Sequence, residues 1–187
     1  MTRLGNYHDV NLSLSQGGEH STTFASVNYR SDKSSLEGVG QNAINARLNT
    51  EYKDGIVTFG MQSFVRYGRK DKSNKWAVVA DKFHWRKGYD ENDPTGYWNP
   101  QMADGHPKAT LDSEYQKNTG EGFNFRANLF SDINIKWVKG LSLRADASFA
   151  YGITQSDYWM SGMISNSGAT DGNQGNKSKN TVKSQQY

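Results

Sequence analysis

The most regular stretch of the chain runs from Gly122 to Gly152. From Phe123 every second residue is apolar or small, through Phe125, Ala127, Leu129, Ser131, Ile133, Ile135 and Trp137. Those between are polar except Phe130. After Val138-Lys139-Gly140 the alternation restarts with Leu141, Leu143, Ala145, Ala147, Phe149 and Tyr151, against Ser142, Arg144, Asp146 and Ser148. Period two predicts strands with one dry face and one wet face. The first strand keeps its pattern for about 15 residues, where an ordinary globular strand has about 5–6 and a membrane-spanning strand needs about 9–11. Aromatic residues stand near the strand ends, where the interfacial girdles of a membrane barrel belong.

The same alternation predicts four earlier strands, so that the six cover about 9–16, 22–30, 43–52, 56–68, 122–137 and 141–152. Gly17-Gly18 and Lys53-Asp54-Gly55 read as tight turns, the first through positive φ at its glycines. The connections then alternate, short at 17–21, 53–55 and 138–140 and long at 31–42, 69–121 and 153–187. Tight turns at one end and large loops at the other are the pattern of an outer-membrane barrel. The fold expected is all-β, an antiparallel up-and-down meander of about six long strands forming part of a transmembrane β-barrel. Six strands do not close such a barrel, whose smallest members use about eight, so the expectation is a piece from within a larger one.

Composition narrows the classes. Mean hydropathy is −0.86 and no apolar run approaches the length of a transmembrane helix. A barrel tolerates such polarity because half of each strand faces a polar interior. There is no cysteine, which removes disulfide and thiolate chemistry. The net charge of +3 is spread along the chain, not gathered into the basic stripe that nucleic-acid binding requires. No apolar segment follows Met1-Thr2-Arg3, so a signal peptide is not expected within these residues.

Three stretches carry a family resemblance. The run from Val10 to His20 with Thr23 to Tyr29 resembles the strand, Gly-Gly turn and strand early in the barrel of SusC/RagA-type TonB-dependent transporters. Asn42 to Tyr52 is similar to the next opening strand of that family, and Trp137 to Phe149 resembles its recurring Lys-Gly-Leu hairpin. The resemblance covers about residues 5–155; the family's plug domain and its aromatic-ended last strand have no counterpart in it. It implies energy-coupled import of a nutrient such as an oligosaccharide or peptide across the outer membrane of a Gram-negative bacterium. It further implies lipid around the barrel, a plug inside it, a TonB-type energy transducer below and a SusD-like lipoprotein above.

The wet faces present Arg47, Arg66, Arg126, Asp132, Arg144 and Asp146, which in a barrel would face the lumen. The alternative is a solvated sheet face with ion pairs of under about 1 kcal/mol each. In the loop between residues 69 and 121, Trp85, Tyr89, Tyr97 and Trp98 are candidate ligand-binding residues, since aromatic faces stack on sugar rings. The alternative is that they pack the loop or meet a lid. Asp90-Glu91-Asn92-Asp93 lacks the ligand spacing of a calcium loop and reads as a solvated turn. His8, His20, His84 and His106 lack metal-ligand spacing, and no nucleophile elbow or phosphate loop is present. Catalysis, cofactor and metal are therefore not expected. The rival expectation is a soluble β-sandwich that binds carbohydrate through the aromatic loop 76–98.

Overall fold

The computed structural model describes residues 4–36, 38–72, 91–92, 114–138, 140–161 and 176–187. Seven strands occupy most of them: β1 (Asn6–Gly17), β2 (Ser21–Lys33), β3 (Gly40–Asp54), β4 (Val57–Asp71), β5 (Gln116–Asn134), β6 (Ser142–Met160) and β7 (Asn176–Gln186). They form one sheet in sequence order, each strand antiparallel to the next. Alternation drives this arrangement, because directly opposed residues share a face and the pairings of the central strands set apolar against apolar.

The register produces continuous rows. Val10, Tyr29, Ile44, Tyr67, Phe123 and Ile153 stand side by side across six strands. One row below are Leu12, Val27, Ala46, Val65, Phe125 and Tyr151. On β5 the band runs from Phe123 to Ile133, about 33 Å along the strand, or about 25 Å in height at the usual barrel tilt of about 40°. Its upper border is abrupt, for the next row on that face is His8, Ser31, Asn42, Arg69, Glu121, Gln155 and Thr181. Some hydroxyls inside the band bond locally: the Thr23 and Thr50 hydroxyls share a bond of 3.1 Å, and Ser63 donates to the Leu48 carbonyl at 3.2 Å.

The band has no cover among the described residues. Leu12, Leu14, Phe59, Leu129 and Leu143 are all more than half exposed, and no large side chain among the described residues is fully buried. A sandwich would place a second sheet over this face; the described residues form one layer only.

Several boundaries differ from the sequence expectation. Strands β5 and β6 pair as far as Gln116 and Met160, beyond the apolar band, because backbone bonds continue through Thr119, Glu121, Gln155 and Asp157 without need of apolar side chains. The tail expected as a loop over 153–187 contains the end of β6 and all of β7, whose polar faces give no alternation to read. The connection expected at 31–42 shrinks to 34–39, and that at 69–121 to 72–115. Trp137 leaves the sheet for the β5–β6 turn and is 95% exposed. In the β1–β2 turn Gly18 donates to the Ser21 carbonyl at 2.7 Å, and neither Gly17 nor Gly18 takes positive φ. Gly55 does, at 60°, as the Asp-Gly turn requires.

Candidate functional site on the polar face

Arg47 on β3, Arg66 on β4, Arg126 and Asp132 on β5, and Arg144 and Asp146 on β6 all lie on the face opposite the apolar band. Parity alone places them there, since each is one residue out of step with the apolar stripe of its strand. Most of them fall into two groups.

Near the short turns, Arg144 is opposite Asp132 across the β5–β6 pair. Its Nη1 lies 3.3 Å from Asp132 Oδ2, while Nε and Nη2 hold the two Asp146 oxygens at 2.9 and 3.1 Å. The guanidinium carbon is 5.0 Å above the centre of the Phe130 ring. That ring lies flat on Gly60, directly opposite on β4, where a side chain of any size would overlap it. Arg144 is 55% exposed and Asp146 43%, so solvent screens the pairs; they order the surface more than they stabilise it.

At mid-height the face is concave. Arg47, Phe64, Arg126, Asn128 and Ser148 line a hollow of about 570 Å3. Phe64 stands between Arg47 and Arg126 in one row and separates the strands that carry the two guanidiniums. Ser148 donates to Asn128 at 3.0 Å across β5 and β6. The hollow is wide and open with a mixed polar and apolar lining, which suits passage or packing against another body.

A third group escaped sequence reasoning. The Tyr7 hydroxyl and the Asn28 amide donate to Asp9 at 2.7 and 2.6 Å, and the Asn45 amide donates to Asn28 at 3.2 Å. Arg30 lies 5.1 Å over the Tyr7 ring. This ladder joins three strands on the polar face, and only the register, invisible to single-strand patterns, brings it together. Trp85, Tyr89, Tyr97 and Trp98 lie outside the described residues, as do His84 and His106. His20 belongs to the first turn, with Nδ1 3.1 Å from the Lys53 carbonyl oxygen.

With this geometry in view, the comparisons with known proteins point the same way. No family model matches the chain. It is similar to TonB-dependent receptor P39 of Formosa agariphila, with 24% identity over 151 residues, which is 80% of this chain and 14% of that protein. The chain is thus distantly related to a TonB-dependent receptor and spans a small part of its relative's length.

Proposed function

We propose that the chain forms part of the barrel wall of a TonB-dependent transporter of SusC/RagA type in the outer membrane of a Gram-negative bacterium. One observation carries the reading: an apolar band of about bilayer height, uncovered among the described residues, on one face of a meander whose other face is predominantly polar. The similarity to a TonB-dependent receptor and the three family-like stretches support it. In this reading the apolar stripes meet lipid, and Arg47, Arg66, Arg126, Asp132, Arg144 and Asp146 face the lumen. The assembled protein passes an oligosaccharide or peptide inward past a plug, driven by a TonB-type transducer and helped by a SusD-like lid. It works by passage and not by catalysis.

The test is cysteine labelling of the full-length protein in native membranes, in a cysteine-free background. Leu129→Cys should resist a water-soluble maleimide and react once the membrane is dissolved, whereas Asn128→Cys should react in both. Equal reactivity of Leu129→Cys in membrane and in water would overturn the lipid-facing assignment.

A further inference from the structure

Where the polar face approaches the long connections, the side chains give way to backbone. Ala43, Gly68 and Gly122 stand side by side on β3, β4 and β5, and Gly120 lies two residues further along β5. These positions floor a second hollow, of about 330 Å3. Four cations on the polar face border it: Arg30, Arg66, Lys70 and Lys72. Lys72 reaches across Gly120, with Nζ 3.6 Å from where a β-carbon would stand.

Among the described residues, three of these four cations lack a carboxylate partner. None of Arg66, Lys70 and Lys72 is ion-paired with a described residue, and Arg30 meets the face of Tyr7. Glu121, the one carboxylate among the described residues bordering the hollow, belongs by register to the opposite face and lies 3.8 Å from Arg69 Nη1. Asp9 stands directly opposite Arg30 and offsets its charge while accepting from Tyr7 and Asn28, and Asp32 is separated from Lys70 by strand β3, where Gln41 stands. Arg66, Lys70 and Lys72, without a carboxylate partner among the described residues and over a glycine floor, favour an anion, since the backbone leaves room for close approach and the donors are charge-assisted. Asn124, Thr154 and Ser156 add neutral amide and hydroxyl partners around the same hollow, which match a ligand rich in hydroxyls.

We infer that this hollow is a subsite for the sulfate or carboxylate groups of an anionic oligosaccharide, so that the transported cargo is charged. The inference rests on the lumen reading above and adds the chemistry of the cargo.

The experiment uses the full-length protein purified in detergent, with short dextran sulfate, oligogalacturonate, neutral dextran and oligoglutamate as probes for calorimetry at fixed ionic strength. Dextran sulfate or oligogalacturonate should bind and neutral dextran should not. Replacing Arg66, Lys70 and Lys72 together with Gln should weaken binding by about ten-fold or more for each charge-assisted hydrogen bond that is removed. Gly122→Asp, which puts a carboxylate on the floor where a β-carbon has ordinary space, should weaken it independently. Lys70→Arg with Lys72→Arg should keep it, and Lys177→Gln with Lys179→Gln on the other face should leave it unchanged. Binding of oligoglutamate alone, or equal binding by the triple variant and the parent, overturns the inference. Cysteine labelling of the same variants in native membranes tests membrane placement separately, so loss of the lumen reading and loss of the subsite are told apart.

Discussion

Gly60 shows how much one position can decide. Its hydrogen gives the Phe130 ring a place to lie, and the ring in turn supports the Arg144 guanidinium. Gly60→Val forces the ring off its rotamer or the strands apart and should cost about 1–3 kcal/mol. Phe130→Ala in the same chain should recover part of that loss, as measured by the temperature at which the folded full-length protein unfolds in a gel-shift assay. Arg144 behaves differently despite its better-looking partners. It is exposed, so solvent screens its ion pairs and Arg144→Met should leave stability almost unchanged. The same assay checks it. Phe130 is visible in the sequence as the one apolar residue on the polar face of its own strand, but its seat is not, because nothing local says which glycine on another strand will oppose it.

At the level of the strand, depth and face set the consequence of a substitution. Leu129 lies mid-band on β5, opposite Met61 and Ala147. In a lipid-facing wall Leu129→Arg should cost about 2–4 kcal/mol. Asn128→Arg, one residue away on the wet face, should cost little. Urea titration of the refolded full-length protein in vesicles would show the difference, and equal costs would argue against lipid on the Leu129 side. The first six strands were legible because burial on one side forces alternation, and alternation survives in a single sequence. What the sequence concealed lies where that force stops. The outer ends of β5 and β6 pair through polar residues, and β7 sets Lys177, Lys179, Thr181, Lys183 and Gln185 along one face, so no apolar period marks it. The Arg30, Lys70 and Lys72 grouping was hidden for a related reason: its members are neighbours only through the registers of β2, β3 and β4.

Taken whole, the described residues make a one-layer wall with unpaired edges at β1 and β7 and no covered side. Open edges and an apolar face are both aggregation hazards in water. The 187 residues alone should therefore fail to give a soluble monomer without detergent, as size exclusion with circular dichroism would reveal. A compact, cooperatively unfolding monomer would instead favour the rival, a soluble β-sandwich that binds carbohydrate through the aromatic loop 76–98.

A wall one side chain thick also bears on descent. In a packed interior each residue must fit about six or more neighbours at once, and replacement is slow because volumes must be exchanged together. Here most side chains answer to a cross-strand partner and to whatever fluid lies on their side. Valine, leucine or phenylalanine serve almost equally on one face, and asparagine, serine or lysine on the other. Such a sheet can drift a long way in identity while its rhythm stays fixed. Recognition of its more distant kin should therefore depend on matching parity and strand spacing more than on matching letters.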